Sequence, residues 1–394
     1  MDDDAWEKSI NDEVWELLSH VNTHELVRLA TQLNNGIQCK FQPGKHVGDA
    51  AVMGCANYHG WLTFDNGEKW IVRIPRTGFS DVPPELVECL VASEYATLKF
   101  LEPTKIPAPR VFAYALASDP SNRVGVSYIM MQALSGRPFY EHEASPDQKK
   151  GVIEQVADVL IEISKNPLPL AGSLVMKNDQ IDVPAVASNR FVALNTYGPF
   201  KTTIDYITSI IDQHMDLIAD TQLHHEHPLE AFLFYHFLRQ NTEALVASDF
   251  PGQQFFLKHV DEDFNITGII DGQFARTVPA VEAFGPSYIT ADLASLYSSQ
   301  TGVTDDDRVL DKALRDRVAN VLASLAEGSE IMRRFHNGLS SDLTKDEARD
   351  VLKGMVVCVQ GEIGELDAWI MKQCLESQRD PRWEKIQVLL MEQS

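Results

Sequence analysis

The stretch FFLKHVDEDFNITGIIDGQFA, from Phe255 to Ala275, gathers a histidine, four acidic residues and an asparagine. Phosphoryl transfer asks a protein for this mixture: a carboxylate to accept a hydroxyl proton, and oxygen ligands to hold a divalent ion on the phosphates. His259, Asp261, Asn265 and Asp271 are the groups to place. A second pair lies far upstream, where Arg73 alternates away from Trp70, Val72 and Ile74 in an apolar segment. Glu94 falls on the apolar stripe Val87, Leu90, Val91, Leu98, Leu101 of the following helix. A carboxylate on a buried stripe is costly without a cation, and Arg73 is the nearest partner by topology. A Glu94 that extends past the helix edge into solvent is the alternative.

The elements that must hold these groups can be read from pattern. Ile10, Val14, Leu17, Leu18 and Val21 recur at helical spacing, and a second helical run from His24 to Leu33 stops at Asn35-Gly36. Tyr58 to Phe64 and Lys69 to Ile74 flank Asp65-Asn66-Gly67, a hairpin signal. Pro83-Pro84 opens the helix bearing Glu94. Two strand-like segments follow, KIPAPRVFAYAL and VGVSYIMMQALSGRPF, the second closed by Ser135-Gly136. Beyond Gly136 the pattern is mostly helical: a helix after Ser145 and others near 203–218, 229–247, 307–338 and 345–375. The expected division is a helical cap over 1–36, a sheet-bearing lobe over 37–131 and a helical lobe over 132–394.

Composition narrows the function classes. The chain has 394 residues with 34 Lys plus Arg against 57 Asp plus Glu, a formal charge of −23. Such a surface repels nucleic-acid phosphates and anionic membranes, so neither is an expected partner. Five cysteines with no CxxC pair indicate neither a disulfide framework nor a zinc site. The acidic opening MDDDAWEKSI is unlike a signal peptide, and no apolar run has the length of a membrane span, so a cytoplasmic location is expected.

The order of hairpin, Arg73, helical Glu94, hinge strand and helical second half resembles the aminoglycoside phosphotransferase family, in particular its fungal protein-kinase-like members. The segments that carry the likeness are MGCANYHGWLTF, WIVRIPR, SEYATLKFLEPTKIPAPRVFAY, VGVSYIMMQALSGRPF and FNITGIIDGQFARTVPAVEAF. The resemblance implies an α+β, two-lobed protein-kinase-like fold, with a small antiparallel-sheet N-lobe and a mostly helical C-lobe. It implies further that Met53 to Tyr58 form the loop over nucleotide phosphates, that Arg73 is the strand cation paired with Glu94, and that Met130 to Ala133 are the hinge. Arg73 stands where the family carries Lys, and the two are not interchangeable.

The family pattern in the second lobe is H-G-D-x-x-x-x-N, a short hairpin, then I-D-W-E. Two alignments compete. In one, His259-Val260-Asp261 stands for H-G-D and Asn265 for the metal-binding Asn, with the separation one residue short and five residues before Asp271. In the other, VDEDFNITGIID is the hairpin itself, turning at Glu262 to Asn265 and returning over Ile266 to Ile270, and the catalytic loop is deleted. The second keeps strand alternation and ordinary turn chemistry. It leaves Asp271 as the one candidate Mg²⁺ ligand, with Gly272-Gln273 in place of Trp-Glu.

On that reading the fold has lost its phosphoryl-transfer residues, and the cleft between the lobes is expected to take an apolar small molecule without cofactor or metal. The function expected is a cofactor-independent cyclase or isomerase, Diels-Alderase-like, in natural-product assembly. Arg73, His259, Asp271 and Gln273 are its catalytic candidates, and Tyr58, Trp61, Glu94, Met130, Met131 and Phe274 line its ligand site. An ATP- and Mg-dependent small-molecule phosphotransferase, and a non-catalytic kinase-like binding protein, remain the alternatives. Elsewhere, His224, His225 and His227 are expected in a solvated loop, the aromatic run PLEAFLFYHFL in a core, and Asp305-Asp306-Asp307 at a helix N-terminus.

Overall fold

Two amphipathic helices open the chain, α1 (Asp3–His20) and α2 (Thr23–Leu33), the second capped by the Asn22 side chain, which accepts from the Glu25 N–H. The computed structural model describes residues 3–44, 57–76, 83–186, 197–245, 251–254, 257–340 and 343–392. For 3–7, 251–254 and 257–259 it describes the backbone alone. Met53 to Ala56, most of the loop expected over phosphates, lie outside these residues.

A five-stranded antiparallel sheet follows, made of β1 (Cys39–Gln42), β2 (Asn57–Phe64), β3 (Lys69–Pro75), β4 (Val111–Ala115) and β5 (Tyr128–Gln132), in the order β1-β2-β3-β5-β4. Helix α3 (Pro84–Leu101) lies between β3 and β4 in sequence. Strand alternation divides the sheet into two faces. Tyr58, Leu62, Trp70, Val72, Ile74 and Met130 share one buried core with Ile10, Val14, Leu17, Val21, Leu26 and Ala30 of the opening helices. On the other face Ile129 and Met131 pack with Val91 and Leu98 of α3. Arg73 pairs in register with His59 and Ile129, which places it on the α3 face.

The chain divides into two compact units, and the first is discontinuous: Met1–Phe139, Ser173–Ser188 and Phe255–Ala275. The sequence division assigned the last two segments to the helical lobe. Local pairing explains why Phe255–Ala275 joins the sheet-bearing unit. Strands Leu257–Val260 and Ile266–Ile270 form an antiparallel hairpin, whose first strand pairs with β6 (Arg137–Pro138). The Ile269 N–H donates to the Pro107 carbonyl at 2.8 Å, and Thr267 Oγ1 donates to the Ser135 carbonyl at 2.8 Å. Gly136 has φ +105°, and a Cβ there would lie 2.7 Å from the Val260 carbonyl oxygen. Only glycine fits this approach.

The second unit is mostly helical. Its helices start at strong caps: Ser145 with Gln148, Thr304 with Asp307, and Thr344 with Glu347 each form a capping box. The acidic triplet therefore does open a helix, and Asp307 also takes the buried Arg333 guanidinium at 3.1 Å. The two long helices expected near 307–338 and 345–375 are each broken. Val318 (φ +63°) separates the helices Asp305–Asp316 and Asn320–Ala326, and Gly361 (φ +79°) separates Lys345–Gln360 from Leu366–Ser377. Phe232, Phe234, Tyr235 and Phe237 are all buried, so the aromatic run is core. Antiparallel sheet, intervening helix and helical second unit make the α+β, kinase-like organisation expected from the sequence. Among the described residues no helix is long and apolar enough to cross a membrane.

Candidate functional site

Within the first unit, the residues named from sequence converge on Arg73. Its Nη1 is bound to Glu94 Oε1. Its Nη2 donates to Asp271 Oδ1 at 3.1 Å and to Gln273 Oε1 at 3.1 Å. Asn57 completes the cluster, with its amide 2.6 Å from Gln273 Oε1. Turned over, that amide exchanges its bond to Gln273 Oε1 for two from the guanidinium, its oxygen accepting from Arg73 Nε at 3.1 Å and Nη2 at 2.9 Å. Every nitrogen of Arg73 then has an acceptor. The side chains of Arg73 and Glu94 are 11% and 5% exposed, so solvent screens this pair little.

Local structure explains each position. β3 alternation aims Arg73 at α3, and the helical stripe aims Glu94 back. Asp271 stands at the end of the hairpin's return strand with φ +66° and ψ +50°, ahead of a single 3-10 turn, Gly272–Phe274. Left-handed backbone is unusual outside glycine, though Asp tolerates it better than most, and it turns the carboxylate out of the strand direction. Burial raises the Glu94 carboxyl above the usual range; the Arg73 charge pulls it back down, and the Asp271 charge adds to the rise. One guanidinium thus holds two carboxylates.

Other candidates are not brought to this cluster. Tyr58 and Met130 lie on the opposite sheet face, buried against the opening helices, and the Tyr58 hydroxyl donates to the Gly44 carbonyl at 3.0 Å. Met131 packs under α3, while Trp61 and Phe274 are partly buried. His259 pairs through its backbone with Gly268 and Pro138; its side chain lies outside the described residues. Sequence reasoning missed Asn57, because a residue at the start of a strand gives no sign of which distant side chain it will meet.

The hairpin reading of the acidic segment agrees with the geometry. Asp261 Oδ1 accepts from the Asp263 N–H at 3.0 Å and the Asn265 N–H at 2.8 Å, and the Asn265 amide donates to the same carboxylate at 3.3 and 3.1 Å. These bonds hold the Asp261 carboxyl below the usual range, those from Asn265 most of all. Asp261 and Asn265 thus face each other across one tight turn.

Residues 54–203 match the phosphotransferase enzyme family, APH. A curated relative, the subtelomeric hrmA-associated cluster protein of Aspergillus fumigatus, is 34% identical over 121 residues, 30% of this chain and 22% of that protein. The chain spans about a fifth of the length of the curated relative it matches. Similar solved structures include ADP-bound aminoglycoside phosphotransferase APH(2'')-Ib, at 13% identity and TM-score 0.45, covering 84% of this chain and 98% of that one. A second is a putative aminoglycoside phosphotransferase of Ralstonia eutropha, at 14% and 0.46, covering 92% and 98%. A third is a putative fructosamine-3-kinase of Thermobifida fusca, at 14% and 0.44, covering 89% and 98%.

A phosphotransferase would bring Mg²⁺ and ATP, and the described residues do not fit the metal. Among the described residues no group of three or more His, Cys, Asp or Glu could hold an ion. Asp271, the one candidate ligand, already has the Arg73 guanidinium at 3.1 Å. A divalent ion within roughly 5 Å of that guanidinium meets repulsion on the order of 6 kcal/mol at an effective dielectric of about 20. Mg²⁺ also demands near-octahedral oxygen ligation, for which one carboxylate beside a glutamine is a poor start. The second unit has a separate cavity of about 650 Å³ that contains none of the candidates. Charge pairs cross it, Lys149 meeting Glu141 at 2.9 Å and Asp306 at 2.5 Å.

Proposed function

We propose that this phosphotransferase-like chain binds a small molecule on a kinase-type scaffold without transferring phosphate. The observation that carries the reading is the Asp261–Asn265 turn: the residues that would serve as base and metal ligand in a shortened catalytic loop are committed to each other. Phosphoryl transfer depends almost wholly on positioning and charge stabilisation, and the described residues supply neither a placed base nor paired metal ligands for it.

The cyclase or isomerase role is the catalytic form of this proposal. In it Arg73 cannot polarise a carbonyl, because its nitrogens are bound to Glu94, Asp271, Gln273 and Asn57. Gln273 and His259 are left as the groups for that task. One observation favours the alternative of an ATP-dependent phosphotransferase: the strand cation and the helical carboxylate are paired, as a working kinase site requires.

ADP release from Mg-ATP in the presence of hydroxylated amines, sugars and polyketide alcohols separates the readings. The proposal expects no release above the protein-free blank with any acceptor. Acceptor-dependent ADP formation that disappears in Asp271→Asn would overturn it and restore phosphotransfer.

A further inference from the structure

We infer that the small molecule bound on this scaffold carries a neutral amide edge, an N–H beside a carbonyl as in a lactam, imide or carboxamide, and that Asp271 and Gln273 read that edge together. This names the ligand chemistry of the same site and rests on the proposed function. Both residues belong to the first unit, as does Arg73. Arg73 Nη2 donates to Asp271 Oδ1 and to Gln273 Oε1, each at 3.1 Å, so one nitrogen holds both side chains by an oxygen. The atoms left over are one acceptor and one donor. Among the described residues Asp271 Oδ2 and Gln273 Nε2 have no hydrogen-bond partner. Asp271 is 38% exposed, and Gln273 Nε2 is not sealed from solvent. A carboxylate oxygen only accepts and an amide nitrogen only donates, so the pair takes a ligand that offers an N–H to Asp271 and a carbonyl to Gln273.

Local structure holds the two groups side by side. Asp271 takes left-handed backbone ahead of the 3-10 turn, and Gly272 between the pair carries no side chain to part them. Their shared anchor on Arg73 fixes both orientations before a ligand arrives, which lowers the entropy cost of binding. Charge narrows the class further. Glu94 and Asp271 bring two negative charges to Arg73's one, so a carboxylate or phosphate on the ligand meets like charge at Asp271. An ammonium would have to share Asp271 with the guanidinium already on it. A neutral N–H and carbonyl meet neither penalty. A ligand lacking one of the two leaves a polar group of the site unmatched, which is how such sites discriminate.

Oxindole, N-methyloxindole and phenylacetate are the probes, each titrated against the full chain by ligand-observed NMR. Wild type is expected to bind oxindole about tenfold or more tighter than N-methyloxindole, which has lost the N–H, and not to bind phenylacetate. Gln273→Glu keeps an oxygen on Arg73 and replaces the donor by an acceptor, so its oxindole affinity should fall about tenfold or more. Asp271→Asn turns the free acceptor into a donor and should lose oxindole while gaining phenylacetate. Equal binding of oxindole and N-methyloxindole by wild type overturns the amide reading, and that result needs no variant to fold. Absence of oxindole binding at millimolar concentration overturns it too, as does unchanged oxindole affinity in a folded Gln273→Glu protein. ADP release from Mg-ATP, measured on the same preparation, keeps the two readings apart. Failure of oxindole with no ADP release strikes the amide edge and leaves the proposed function standing, whereas acceptor-dependent ADP formation strikes both.

Discussion

The Arg73 guanidinium lies 3.1 Å from the Asp271 carboxylate while its other terminal nitrogen is bound to the buried Glu94, so one side chain ties strand, helix and hairpin together. Breaking a buried pair leaves an uncompensated charge, and the expected cost is about 3–5 kcal/mol. Arg73→Met and Glu94→Leu should each lower the denaturant midpoint strongly. The double variant should recover most of that loss, because both charges leave together. A double variant as unstable as the two singles summed would show that the two side chains do not couple.

Gly136 docks the hairpin against β6 with φ +105°. Gly136→Ala adds both backbone strain and a clash with the Val260 carbonyl, and is expected to cost about 1–3 kcal/mol. Urea denaturation measures it. A change near zero would mean that the hairpin moves away at no cost.

His224 and His227 report on the second unit. The sequence placed the histidine loop in solvent; His225 and Glu226 are there, but His224 and His227 are buried. The backbone supplies the reason: His224 takes a left-handed φ of +56°, which turns its ring inward next to that of His227. Burial, then the neighbouring His227, His214 and His225, pushes His224 down to about 4. A base depressed in the folded state takes its proton first when unfolded, so stability is complete above pH 6.5 and erodes as pH falls toward 4. The loss is roughly 3 kcal/mol by the end of that window. His224→Gln should flatten the dependence of unfolding free energy on pH across it, and an unchanged slope would assign the acid sensitivity elsewhere.

Asp261 is a turn residue here, so Asp261→Ala should reduce thermal stability modestly without changing any ligand's affinity. Its contribution is present above the ordinary carboxylate range and lost as pH falls below that range through the depressed folded value, because its own turn holds the carboxyl low. Loss of ligand binding or turnover in a folded Asp261→Ala protein would return it to the active site.

Much of the scaffold was legible in the chain because it is local. Alternation in Trp70 to Ile74 and the stripe from Val87 to Leu101 set Arg73 against Glu94, and Asp65-Asn66-Gly67 marks the hairpin between β2 and β3. The acidic hairpin was readable for the same reason, its turn being closed by bonds within five residues. What pattern does not carry is long-range docking. Asp271 meets Arg73 because the hairpin pairs with β6 and bonds Pro107, contacts across more than a hundred residues of sequence. The sequence reading puts Tyr58, at the end of the expected phosphate loop, and Met130, in the expected hinge, in a ligand site. Strand register instead turns them toward the opening helices, whose packing partner the sequence did not name.

Arg73 holds Asp271, and on the proposed function this keeps magnesium nucleotide out. A thermal-shift titration of wild type with ATP, with and without Mg²⁺, tests it most directly, since a ligand bound only by the native state raises its apparent stability by mass action. No magnesium-dependent rise at millimolar ATP is the result expected. A clear magnesium-dependent rise that vanishes in Asp271→Asn would contradict the account, showing that the carboxylate is free to serve a metal.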